Sequence, residues 1–238
     1  MENQKITFGR HPSAQLNSLF SDKPFQGQVP KNARIVFLSS DANYSPQISE
    51  HDFFKYILEY QEDGVRFWEK YNVHHPFLID EYPFNKTQNG RPFHNNFRRI
   101  GLDSSYAEFI SFIELLDIPT IGSKSENRKL FYSYANIEHL KKIDQLYLEA
   151  GNRLIFISRG VLSDMIRLRQ NTDIFRWLPN TLPLEKFVTA ANGNKIQEIY
   201  HFSSSHINRE IGSIKNMIDA WLEKSANNMQ SDAADPRS

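Results

Sequence analysis

The chain has 238 residues, no cysteine, 28 Lys plus Arg balanced by 28 Asp plus Glu, and 39% apolar residues. These numbers exclude disulfides, thiol nucleophiles and cysteine-ligated zinc or iron–sulfur clusters, and give no overall basic excess for coating nucleic acid. No apolar run nears the roughly 18 residues of a membrane span, and "MENQKITFGRHPSAQ" lacks a signal region, so a cytoplasmic protein with no membrane partner is expected.

In chain order, four short apolar runs stand out: "RIVFL" (34–38), "FISFIELL" (109–116), "RLIFIS" (153–158) and "IQEIYHF" (196–202). Between them, "ISEHDFFKYILEYQEDGVRFWEKY" and "NIEHLKKIDQLYLEAG" carry apolar residues at helical steps, the second with Asn136 as N-cap and Gly151 just past its end. In the final helix Ile207, Ile211, Ile214, Ile218 and Leu222 form one stripe. Strands alternating with helices predict an α/β fold: a single three-layer domain with a central, mostly parallel four-stranded sheet flanked by helices. The domain is expected over 1–224, with 74–100 as a surface insertion loop and 225–238 as a disordered tail. A monomer is expected.

Two strand ends are unusually polar: "SSDANYSP" after the first run and "HFSSSHINR" after the last. Ligands collect at the carboxyl ends of parallel strands, so Asp41 and His201 are candidates to face one crevice as an acid–base or charge-stabilising pair. The plainer readings are a turn or helix-cap role for Asp41 and a half-buried structural role for His201.

These two segments together resemble the uracil-DNA glycosylase superfamily. Its first motif, a strand followed by Gly-Gln-Asp-Pro-Tyr-His-Gly-Pro, lies without a gap on "SSDANYSP", with Asp41 on the aspartate, Asn43 on the tyrosine and Pro46 on the last proline. Its second motif, His-Pro-Ser-Pro-Leu-Ser before a helix, places His201 on the histidine and Ser203 on the serine. The resemblance covers most of 30–223, and it implies a monofunctional enzyme that flips a nucleotide from DNA and needs no cofactor or metal.

It further implies that Asp41 stabilises the sugar cation and positions water, and that His201 donates to the departing base. Ser39, Ser40, Ser203, Ser204 and Ser205 would grip phosphates with Arg209, Ile207 would be the wedge in the vacated stack, and Phe54 would stack on the flipped base. Two departures bear on the substrate. Asn43 stands where a tyrosine blocks the pyrimidine 5-position, with Tyr44 as neighbour able to fill the same space. Glu114, the ionisable residue of the second apolar run, stands near the family's uracil-reading asparagine and suits an exocyclic amine better than an oxygen. Both point to a modified pyrimidine such as a 5-substituted cytosine of phage DNA, hence to antiphage defence. Lys86, Arg91, His94, Arg98 and Arg99 of the insertion would then meet DNA or the substituent. The alternatives are an ordinary uracil-DNA glycosylase, a catalytically silent DNA- or protein-binding module, and a hydrolase of nucleosides or small glycosides.

Overall fold

In a computed structural model describing residues 6–170, 172–180, 182 and 188–233, the strands are β1 (Gly9–Arg10), β2 (Phe25–Gly27), β3 (Ile35–Ser39), β4 (Ala42–Asn43), β5 (Ile110–Glu114), β6 (Pro119–Ile121), β7 (Leu154–Ser158), β8 (Val188–Ala191) and β9 (Asn194–Ile199). The helices are α1 (Ala14–Asp22), α2 (Phe54–Glu62), α3 (Gly64–Tyr71), α4 (Arg91–Arg98), α5 (Arg128–Ser133), α6 (Ile137–Leu148), α7 (Arg159–Arg169) and α8 (Ile211–Ala233). No described helix is long and apolar enough to cross a membrane.

The four apolar runs become β3, β5, β7 and β9, which are mutually parallel in the order β5-β3-β7-β9. The expected four-stranded sheet needs correction, because antiparallel β2 and β8 add an edge on either side and make a mixed six-stranded sheet among the described residues. The central runs are apolar at nearly every position because helices cover both faces. Side chains alternate between those faces. Val36, Leu38, Ile155 and Ile157 pack with Leu140, Ile143, Leu162 and Met165 of α6 and α7. Ile35, Phe37, Leu154 and Phe156 pack with Trp68, Phe97, Ile214 and Ile218 of α3, α4 and α8. On the second face Phe37 stacks on Phe156 at 4.9 Å between ring centroids and on Phe112 at 5.7 Å, so three aligned strands share one aromatic row.

A second, three-stranded sheet, β1-β6-β4, sits where the first one ends. Immediately after β3 the chain passes through Asp41 and enters β4, which pairs in parallel with β6 in the register Asn43↔Thr120. Asp41 therefore occupies the corner between two sheets.

Three expectations at the level of segments change. The 48–71 segment is two helices, broken at Asp63, whose carboxylate caps α3 by accepting from the Arg66 amide at 3.0 Å. The 74–100 segment is not a surface loop. It holds α4 and a short 3-10 turn, Pro76–Leu78, and it buries His74, His75, Phe77, Arg91, His94 and Phe97. The 225–238 tail begins as helix, since α8 continues to Ala233, and 234–238 lie outside the described residues. Asn136 does cap α6, accepting from the Glu138 amide at 3.0 Å.

Candidate active site

The carboxyl ends of β3 and β5 open into a cleft of about 730 Å³. Asp41, Asn43, Tyr44, Glu114 and His201 all line it, together with Ser39, Ser40 and Ser203. Two polar strand ends lying 160 residues apart in sequence thus meet in one cavity. The wall facing them comes from the 74–100 segment, through His75, Phe77, Asn89, Gly90, Phe93 and His94. That wall is tied to the strand side by the Gly90 amide, which donates to the Asn43 carbonyl at 3.1 Å.

Asp41 is held by its neighbours. Its Oδ2 accepts from the Thr120 hydroxyl at 2.5 Å. The Asn43 amide donates to Thr120 Oγ1 at 3.3 Å and to the Gly122 carbonyl at 2.5 Å. Asn43 therefore does more than leave space at the cleft wall, because it braces the hydroxyl that holds Asp41. Gly122 is required at its place: φ is +68°, and a Cβ there would lie 2.7 Å from the Phe8 amide nitrogen. Beneath the corner is an ionic cluster centred on buried Asp164. Asp164 of α7 accepts from Lys124 at 2.5 Å, Arg128 at 3.2 Å and the Tyr132 hydroxyl at 2.7 Å. Ser40 belongs to this cluster, accepting from Lys124 at 2.5 Å, so its hydroxyl is committed inside and the phosphate-gripping expectation fails for it.

Glu114 is 6% exposed, and its Oε2 has no hydrogen-bond partner. Burial, and next the charge of Asp41, push its pKa up to about 8, with Ser39 opposing. Asp41 is also shifted upward, chiefly by burial and further by Asp164, against Thr120, Lys124 and Asn43, although part of its surface stays open to the cleft. Two facing carboxyls share one site here, and their partners decide the assignment. Asp41 has a hydroxyl, an ammonium and an amide favouring its anion; Glu114 has an orphaned oxygen. Of the two, Glu114 is the better holder of a proton and Asp41 the better-supported anion.

His201 stands at the cleft mouth, and its Nδ1 accepts from the Ser203 amide at 3.1 Å. That bond fixes the neutral tautomer with the proton on Nε2. Burial of the ring within the cleft and the nearby Lys124 both lower its pKa. The ring keeps substantial solvent exposure, which tempers the shift without reversing it. His201 is thus a neutral donor at pH 7.

Other expected residues fall elsewhere. Phe54 is buried in a separate core with Phe20 and Ile57 and does not line the cleft; His75, Phe77 and Phe93 supply its rings instead. Ile207 is fully buried against Ile214 and Ile218, so it is no wedge. Ile207→Ala should therefore cost about 2–4 kcal/mol of stability, read as a lower urea midpoint; a midpoint equal to wild type would contradict the packing. Ser204 caps the 205–209 turn through the His206 amide and lines a neighbouring hollow with Lys124 and Arg159. Ser203, Ser205 and Arg209 are exposed, as are Lys86, Arg98 and Arg99, whereas Arg91 is buried and His94, also buried, lines the cleft wall.

Sequence reading missed Thr120, Lys124 and Asp164, and the packing of His94, which it did name, with His74 and His75. His74 Nε2 lies 3.1 Å from His94 Nδ1, and His75 stacks on His94 at 3.6 Å. Burial lowers the pKa of all three, that of His94 to about 3. Among the described residues no group of three or more His, Asp or Glu is disposed to hold a metal ion.

No protein-family model, curated protein or solved structure matches the chain.

Proposed function

We propose that the chain is a monofunctional DNA N-glycosylase of the uracil-DNA glycosylase type, which flips a modified pyrimidine into the cleft and releases it, leaving an abasic site. The observation that carries this reading is the meeting of the Asp41 carboxyl and the Nε2–H of His201 in one cavity walled by aromatic rings. Breaking an N-glycosidic bond puts positive charge on the sugar and negative charge on the base. Asp41 opposes the first, and His201 stabilises the second by donating without itself titrating. Rings of the kind at Phe77 and Phe93 are worth roughly 1–3 kcal/mol when a base stacks on them.

The cleft, at about 730 Å³, lies within the roughly 300–1,000 Å³ range that drug-sized ligands occupy, more than a bare pyrimidine ring needs. That room, with Asn43 turned aside towards Thr120 and Gly122, supports a 5-substituted cytosine. Phage DNA is the setting in which such bases are abundant, which makes antiphage defence the matching role. The exposed pair Tyr200 and His206, with ring centroids 5.3 Å apart, takes the place of Ile207 as the group entering the vacated stack. One observation favours ordinary uracil repair as a second reading: protonated Glu114 offers one donor and one acceptor, the pattern of an amide reading uracil.

The test is incubation with duplexes carrying uracil, 5-hydroxymethylcytosine, its glucosylated form, hypoxanthine or a thymine–guanine mismatch, followed by alkaline cleavage of abasic sites. Cleavage at a 5-substituted cytosine and not at uracil is expected. Cleavage at uracil alone selects the second reading, and cleavage at none rejects both.

A further inference from the structure

We infer that Glu114 is a catalytic acid, delivering a proton to the ring nitrogen N3 of the departing base, and that the cleft is thereby built for an aminopyrimidine of the cytosine class. This rests on the glycosylase reading above and deepens it. The argument begins with geometry. Glu114 ends β5 in register with Ser39, beside the corner that holds Asp41. Its side chain is 94% removed from solvent by the 6% exposure it retains, it lines the cleft, and Oε2 has no partner within the protein. A buried carboxyl oxygen without a partner is costly unless a ligand completes it.

Burial first, and Asp41 next, make Glu114 hold its proton, with the Ser39 side chain opposing. Asp41 approaches from beyond the end of β3, Tyr44 from just after β4 and Tyr60 from α2, and the His139 ring reaches the Glu114 backbone carbonyl from α6 at 2.8 Å. No cation stands among them, and negative charge on Asp41 favours the proton on Glu114. The Tyr44 hydroxyl accepts from the Gln26 amide at 3.0 Å.

Chemistry supplies the rest. Uracil leaves as an anion stabilised over two carbonyls, and its N3 already bears hydrogen. Cytosine has one carbonyl and an unprotonated N3, so its anion is a poor leaving group unless N3 takes a proton. A neutral carboxyl fits that edge in one orientation: O–H donates to N3 while C=O accepts from the exocyclic amine. In the step proposed, the C1′–N1 bond breaks and its electron pair stays with the base. The Glu114 proton passes to N3, giving the neutral base and the Glu114 carboxylate. The water oxygen bonds to C1′ and its proton passes to Asp41. Proton exchange with solvent restores both carboxyls, and one water is consumed.

The experiment is single-turnover base release from duplexes carrying 5-hydroxymethylcytosine or uracil, across pH 6 to 9.5, with wild type and Glu114→Gln. Glutamine keeps the shape and both hydrogen-bonding roles but has no acidic proton. Wild-type release of the cytosine-class base should fall above pH about 8, and more steeply than release of uracil, for which Glu114 supplies only a hydrogen bond. Glu114→Gln should lose about 100-fold or more on the cytosine-class base, lose the alkaline limb, and bind the same duplex as tightly as wild type. Equal loss on both bases, or wild-type release that ignores pH, overturns the inference and leaves the glycosylase reading standing. Release of uracil only also overturns it. If wild type releases neither base, the glycosylase reading fails and the inference with it. The wild-type pH profile decides the matter even if the variant does not fold.

Discussion

Asp41→Asn is expected to slow base release by about 10²–10³-fold, the scale of removing one preorganised electrostatic group from a transition state. Asparagine has the shape of aspartate, and its carbonyl still accepts from the Thr120 hydroxyl that holds Asp41 at 2.5 Å. What disappears is the negative charge beside the sugar. The same change should not weaken the fold. Folding raises the pKa of Asp41, mainly through burial, so the folded chain binds more protons than the unfolded one as pH climbs from the ordinary carboxylate value, and rising pH costs stability. A neutral side chain escapes that cost. Asp41→Asn should therefore melt at or above the wild-type temperature at pH 8 while losing activity. Wild-type rates in the variant would remove Asp41 from the chemistry, and a lower melting temperature would contradict its buried charge.

Mild acid should destabilise the chain, because His75 and His94 in the cleft wall, and His74 packed behind them, are all buried. Burial lowers the pKa of His74, His75 and His94. Below the ordinary histidine value the unfolded chain takes up protons that the folded chain refuses, so stability falls as pH falls. His11 and His139 act in the same direction. Asp41 and Glu114 act in the opposite one, since both hold protons more tightly when folded. Each uncompensated proton is worth about 1.4 kcal/mol per pH unit, so His74, His75 and His94 against two carboxyls leave a net loss of at least roughly that size below pH 6, which His11, His139 and His201 add to. Urea midpoints at pH 7.5, 6 and 5 measure it. The decline should steepen in Asp41→Asn, which lacks one opposing group, and flatten in His94→Gln. A wild-type midpoint unchanged from pH 7.5 to 5 would mean that the histidines are not held neutral.

The sheet was legible because burial on both faces makes a strand uniformly apolar, and nothing else in the chain reads as "RIVFL" or "RLIFIS" does. Asp41 and His201 were legible because a polar cluster directly after such a run has few other places to be. The edges β2 and β8 were not, being short and mixed in composition. The histidine wall was hidden for a different reason. His74, His75 and His94 count as polar in any periodic reading, yet they stack on one another and on Phe77 and Phe97. Thr120 and Lys124 reach Asp41 only through the pairing of β4 with β6 and the turn beyond it, at a separation that no local pattern carries. Ile207 is the instructive case: the isoleucine stripe already assigned it to the core, and the structure follows the stripe over the motif position.

The two sides of the cleft have separate origins in the chain. Asp41, Glu114 and His201 stand just at or beyond the ends of packed strands, while the facing wall comes from one contiguous stretch, which Phe97 anchors in the core and the Gly90 amide ties to the Asn43 carbonyl. Such a layout lets a lineage retune what it accepts by exchanging residues in 84–93 while its reactive groups stay in register. Directed selection for a new base should accordingly collect its mutations in that stretch and spare the strand ends.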